Sequence, residues 1–313
     1  MRLIDPIAIT PEMVAETTVT AALDGPEWAA GTTYAAGERV VIEADRAVYQ
    51  SVANENTGHD PRTDDGTWWL RASTTAPWRP FDQRAGTVVR KTDGGQIVYR
   101  IVAPTLLRAI GALRLSAATM RVVVRAGAED GPVTYDSGPI TLVDGSDYTD
   151  YLSMVLIPPR VEDTLILDNI GGLTGAGDAF VALTGDHITI EIGDGGGQPE
   201  VGEIILGTPI LIGETLDGTE IGLEDYSGKT RDDWGGVDII ERGYNDRTRF
   251  LLALRTGDAR RIRRVLGSLR AKPVLYYDDD LTFGTTVYGL YADFSTPLSA
   301  SGVSYCTLDV EGL

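Results

Sequence analysis

The sequence predicts a mainly β protein: a small aromatic β module, a central β-sandwich and a C-terminal β-barrel-like domain that carries one α-helix. Three observations lead there. Apolar runs are short, and the 37 glycines of the 313-residue chain fall mostly in clusters between them, the texture of strands joined by tight turns. Only one stretch, near residues 257–272, places its apolar side chains at helical spacing. The length exceeds one usual core of about 100–200 residues, so the chain should be divided.

Residues 1–25 read as a strand or extended arm. Ile4, Ile7, Ile9, Met13, Val14 and Val19 are its apolar anchors, and Pro6 and Pro11 break any helix. Such an arm docks on a neighbouring domain or subunit. Residues 26–72 hold three of the five tryptophans, Trp28, Trp68 and Trp69. Strands are expected at Arg39–Glu43 and Val48–Val52, between turn-rich stretches at Ala29–Gly37 and Asn54–Gly66. A unit this small has little core, and large aromatic rings are how it buries enough area.

Residues 73–215 read as the sandwich. Its expected strands are Ile97–Val102, Met120–Val124, Pro139–Val143, Met154–Ile157, Leu165–Leu167, Phe180–Leu183, Ile188–Ile192 and Gly202–Ile212, spaced by glycine-rich turns. The strand opening at His187 and the one opening at Gly202 read as a closing hairpin. Pro104–Leu113 is open between a short helix and an apolar loop. Residues 216–313 should place strands at Val237–Glu241, Thr248–Leu254, Val274–Tyr277, Thr285–Tyr291 and Ser304–Val310. Between them lies the helix, with Ile262, Val265, Leu266 and Leu269 on one face and Pro273 ending it. Thr256 or Asp258 is placed to cap its start.

Charge and composition exclude several functions. A net charge of −19 repels phosphate backbones and anionic membrane surfaces alike. No run approaches the roughly 18–20 apolar residues of a membrane helix. The N-terminal residues lack the pattern of a secretory signal, as expected of a virion component released by lysis and equally of a cytosolic protein. A single cysteine, Cys306, makes neither an internal disulfide nor a thiolate metal site. Two histidines, His59 and His187, lie far apart without metal-ligand spacing, so neither a zinc site nor a histidine triad is expected. Asp64–Asp65 and Asp278–Asp280 could bind calcium or act as paired acid and base, but they read more simply as acidic turns. The glycine run at 193–197 opens no helix, which argues against a phosphate loop. No cofactor, metal or catalytic residue is expected.

Two groups of side chains point to binding. Trp28, Tyr34 and Tyr49 lie in the small aromatic unit and Trp68–Trp69 closes it. Neighbours on a strand face opposite ways, so one tryptophan of that pair should point in and the other out. An outward indole is a platform for the apolar face of a sugar ring, and equally an ordinary protein contact. Each aromatic is open between core and ligand contact. The second group is Arg260, Arg261, Arg263, Arg264 and Arg270 on the expected helix, a basic patch in an acidic chain. It reads either as a subunit contact with an acidic neighbour or as a solvated face paired to local carboxylates.

The order Trp28, Tyr34, Gly37-Glu38-Arg39-Val40, Tyr49, Gly58-His59-Asp60-Pro61, Trp68-Trp69 resembles chitin- and cellulose-binding modules of the carbohydrate-binding module family 5/12 type. The likeness covers residues 28 to 72, with Glu38 where those modules carry Asp and with a longer, acidic loop at Asn54–Gly66. The resemblance implies a sugar-binding face built from the five aromatics. The segment Arg247–Leu313, ending Cys306-Thr-Leu-Asp-Val-Glu-Gly-Leu313, resembles tail-tube-like domains in distal tail and baseplate proteins of long-tailed bacteriophages. That resemblance implies a β-barrel assembling in a ring around a tail axis, with other tail subunits as partners. Together they suggest a structural tail component that contacts host polysaccharide. A secreted polysaccharide-degrading enzyme or its accessory subunit is the alternative, resting on the module alone.

Overall fold

The computed structural model describes every residue except 85, 145–159, 162, 170–178, 194, 232–233, 235, 279–284 and 298–301. The chain is mainly β, with several sheets and, among the described residues, one α-helix. No helix among them is long and apolar enough to cross a membrane. The expected strand Met154–Ile157 and the residues Asp279 and Asp280 lie outside the described residues. The chain divides into a central unit, Ala8–Ile205, and a terminal unit formed by Met1–Ile7 with Leu206–Leu313.

The expected arm is therefore shared out. Arg2–Ile4 inserts between Pro209–Leu211 and Val274–Tyr277 in the terminal unit's sheet. Val14–Thr17 instead pairs with Ile97–Val102 in the central unit. Pro6 and Pro11, which cannot donate to a ladder, fall between these two strands. A similar handover splits the expected strand Gly202–Ile212 into Glu203–Gly207 and Pro209–Leu211, which join different sheets. A side-chain carbon on Gly207 would lie 2.6 Å from the Asp5 carbonyl oxygen and 2.7 Å from the Ile4 side chain, so glycine permits the close approach there.

In the central unit, a six-stranded sheet has Val133–Asp136, Thr119–Arg125, His187–Ile192, Ile97–Val102 and Val14–Thr17 side by side, with Ile140–Thr141 also on Thr119–Arg125. Ile97–Val102 and His187–Ile192 alternate buried and half-buried side chains, as strands with one covered face do. A three-stranded sheet places Ala109–Leu113 between Thr164–Asp168 and Glu203–Gly207. Ala109–Leu113 and Glu203–Gly207 are buried at every residue. Two expectations change here. Pro104–Leu113 ends in a fully buried strand rather than a helix or loop. The strands opening at His187 and Gly202 enter separate sheets and form no hairpin, because one needs a single covered face and the other needs two.

The terminal unit holds an eight-stranded antiparallel sheet. Its path runs Pro209–Leu211, Arg2–Ile4, Val274–Tyr277, Val287–Ser295, Val303–Gly312, Tyr244–Arg255, Glu214–Thr215, and Glu220–Asp225 also pairs with Tyr244–Arg255. Among the described residues no pairing joins the two ends of this path, and barrel closure is not seen there. The helix spans Ala259–Ser268 after a 3-10 turn at Thr256–Asp258, four residues shorter at its end than the sequence predicts. Ile262 and Leu266 of the helix, with Leu269 just beyond it, pack on Phe250, Leu252, Leu254, Leu308 and Val310 to form the core. Neither expected cap forms: Thr256 bonds the Ser304 hydroxyl at 2.9 Å, and Asp258 lies 3.6 Å from Arg261.

Candidate functional site

The aromatic module is a three-stranded sheet of Arg39–Ile42, Ala47–Ser51 and Trp69–Thr74, beside a two-stranded ladder of Thr33–Tyr34 with Asn56–Thr57. Val40 opposes Tyr49, and Ser51 opposes Trp69, so these share one face. Val41 and Val48 share the other and pack on Ala21. The unit thus reaches back to residue 21. It also reaches forward: Asp24 accepts from the Ala76 amide at 2.6 Å and pairs with the Arg79 guanidinium.

The aromatic face has a closed core and an open rim. Tyr34 and Trp69 are 5% and 3% exposed, meet edge to face at 5.1 Å, and enclose Val40. The Trp69 indole nitrogen donates to the His59 carbonyl at 2.8 Å, and the Tyr34 hydroxyl accepts from the Ala29 amide at 2.8 Å. Both rings belong to the core and offer no free face to a ligand. Trp28, Tyr49 and Trp68 are half-buried and pack around that core. Trp69 is therefore the inward member of the pair. Trp68 is the outward one, but it is not bare, because the His59 imidazole stacks on it at 3.9 Å and 8°. The Trp28 indole nitrogen is buried without a hydrogen-bond partner.

The acidic loop organises this rim. Asp64 accepts from the amides of Gly66 (2.9 Å) and Trp69 (2.9 Å) and also from that of Trp68. Asp60 binds Arg62 through both oxygens, at 3.0 and 2.7 Å, and this hydrogen-bonded pairing holds its carboxyl below the usual range. Asp65 is lowered likewise by its bond from the Thr67 hydroxyl, at 2.6 Å. Asn56, fully buried, donates to Ser51 at 3.0 Å and to the Trp68 carbonyl at 3.2 Å, and its amide oxygen meets the His59 ring at 3.0 Å. Asp64 and Asp65 are thus turn-forming groups.

Two features escaped the sequence. Arg71 opposes Tyr49 across the sheet and stands exposed. It also borders a groove of about 360 Å³ with Asp45, Arg46, Trp78, Phe81 and Asp82, where the Arg46 guanidinium lies 4.3 Å from the Trp78 ring centre. Trp78, outside the expected module boundary, was the one available signal. The second feature is a pair of raised carboxyls. Glu203 is 1% exposed, and desolvation, then the charge of Asp82, push it up to about 8. Asp82 is raised too, chiefly by desolvation.

In the terminal unit the five arginines are all exposed. Arg261 donates to the Leu211 carbonyl at 3.2 Å and lies 3.6 Å from Asp258. Among the described residues Arg260, Arg263, Arg264 and Arg270 make no ion pair or hydrogen bond through their side chains. Asp278 accepts from the Thr215 hydroxyl at 2.5 Å. Comparison with known proteins returns no matching family model and no matching curated protein.

Proposed function

We propose that this chain is a non-catalytic structural component of a bacteriophage tail or baseplate, and that its aromatic module contacts a host-surface polysaccharide. The observation that carries the module's role is the rim of Trp28, Tyr49 and Trp68 beside Arg71 and His59. Ring faces flanked by hydrogen-bonding groups match a pyranose, which presents C–H on its faces and hydroxyls at its edge. The solvent-facing arginines of the helix support assembly, since the rest of an acidic chain offers them partners. The virion is the proposed location.

The test is a glycan array probed with the full chain, the Trp68→Ala and Tyr49→Ala variants, and Arg108→Ala, exposed and outside both the module and the helix, as a control. The wild type and the control should bind the same glycans, and both module variants should lose on the order of tenfold in affinity, as expected for removing a stacking ring. Unchanged binding in both variants would overturn the assignment of the rim.

The alternative, a polysaccharide-degrading enzyme, would draw on Asp82 and Glu203, both raised carboxyls, since such enzymes work with a pair of carboxyl groups. Glu203 at 1% exposure is closed to a substrate, which favours the first reading. Reducing-sugar release from chitin or cellulose, abolished by Glu203→Gln, would reverse that preference.

A further inference from the structure

The terminal unit leaves much apolar surface uncovered in one short stretch. Eight of the sixteen exposed large apolar side chains among the described residues lie within residues 221–244. Most prominent are Leu223 at 68%, Trp234 at 95% and Ile239 at 65% exposed. Exposed apolar residues scattered singly need no explanation, but their concentration in one stretch of chain points to a contact surface.

The local structure shows how the strand residues among them come to be exposed. Ile221 opposes Thr248 and Leu223 opposes Asp246, so both point to the side on which Phe250, Leu252 and Leu254 are buried beneath the helix. The sheet's apolar face thus runs on past the core. Glu220–Asp225 pairs only with Tyr244–Arg255, which leaves its other edge without a partner among the described strands. An open edge flanked by apolar side chains is a template for another chain. Gly228–Arg231 and Val237–Ile240 follow as a two-stranded ladder of their own.

Charge identifies the occupant. Residues 214–247 carry ten acidic and four basic side chains, a net −6. Residues 255–272 carry seven basic and one acidic, a net +6. The acidic stretch is the apolar one, and the basic stretch holds the helix, whose Arg260, Arg263 and Arg264 have no side-chain partner among the described residues. Two complementary surfaces at different places on one chain make a heterologous contact, which propagates from copy to copy and closes only as a ring.

We infer that the apolar, acidic arm formed by Glu220–Asp225 and Val237–Ile240 docks on the arginine-bearing face of the helix Ala259–Ser268 in a second copy of this chain, head to tail. The inference rests on the reading of the chain as an assembling tail component and supplies its contact. Analytical ultracentrifugation of the full chain tests it, with an arm variant (Leu223→Asp with Ile239→Asp) and a helix variant (Arg260→Glu, Arg263→Glu and Arg264→Glu). All substituted side chains are exposed, and circular dichroism checks that the variants fold. The wild type should form species larger than dimers, weakened by salt. Each variant alone should remain monomeric. An equal mixture should give dimers and stop there, because each mixed pair keeps one intact arm and one intact helix. A mixture that stays monomeric, or variants that assemble like the wild type, would overturn the contact. In the second case an assembling tail component remains and only the arm is misassigned. A wild type that stays monomeric would remove ring assembly as well, while glycan binding is judged separately on the array.

Discussion

At the scale of single residues, adjacent tryptophans serve different purposes. Trp69 is 3% exposed, packs on Tyr34 and donates to the His59 carbonyl. Trp69→Ala should cost about 3–5 kcal/mol in urea unfolding, the usual range for emptying a buried indole site. Trp68→Ala, which loses one stacked imidazole at the rim, should cost about 1 kcal/mol while reducing glycan affinity. Equal stability losses would contradict the division into core and rim. Glu203 makes a second prediction. Its carboxyl rises from an ordinary 4.5 to about 8, so the folded chain holds a proton there that the unfolded chain releases. The associated stability is full below about pH 4.5, declines as pH climbs, and is spent above about pH 8. Thermal unfolding followed across that window should show the decline, on the order of a few kcal/mol, and Glu203→Gln should flatten it. A decline that persists in Glu203→Gln would assign it to other groups.

At the scale of elements, loops and glycines decide the outcome. Asp64 accepts from three backbone amides in the turn before Trp68–Trp69, and Asp64→Ala leaves them without acceptors. The expected loss is about 1–3 kcal/mol, with faster amide hydrogen exchange confined to residues 60–69. Exchange spread evenly over the chain would contradict a local role. Gly207→Ala should also cost about 1–3 kcal/mol, because the added methyl meets the Asp5 carbonyl and the Ile4 side chain. A neutral result in urea unfolding would show that the close approach relaxes freely. The turn role of Asp64 was readable in the sequence, whereas the close approach at Gly207 was not, because it depends on distant Ile4 and Asp5. The strands Arg39–Ile42, Ile97–Val102 and Val274–Tyr277 could be read directly, because alternation or an apolar run between turns marks them locally. The inward and outward roles of Trp68–Trp69 were readable only as a pair, since alternation fixes opposition but not which face is covered. Ala109–Leu113 was not readable: a run of small and apolar residues takes its strand identity from the partners on either side. The helix arginines could be seen, but which of them find a partner could not: Arg261 reaches the Leu211 carbonyl and Asp258, while Arg260, Arg263, Arg264 and Arg270 reach none among the described residues.

At the scale of the whole molecule, the proposed function would couple a weakly binding face to an assembling one. A shallow rim of three half-buried aromatics is suited to modest affinity per copy, and assembly into rings would multiply it by orders of magnitude without any new contact. The test that bears most directly on this role is cryo-electron microscopy of a purified phage particle containing the chain. The expected result is density for several copies arranged around the tail axis, with Glu220–Asp225 and Val237–Ile240 of each copy against the helix of the next and the aromatic rim facing outward. Particles that lack the chain at the tail, or that carry it as isolated copies making no mutual contact, would contradict the proposed role.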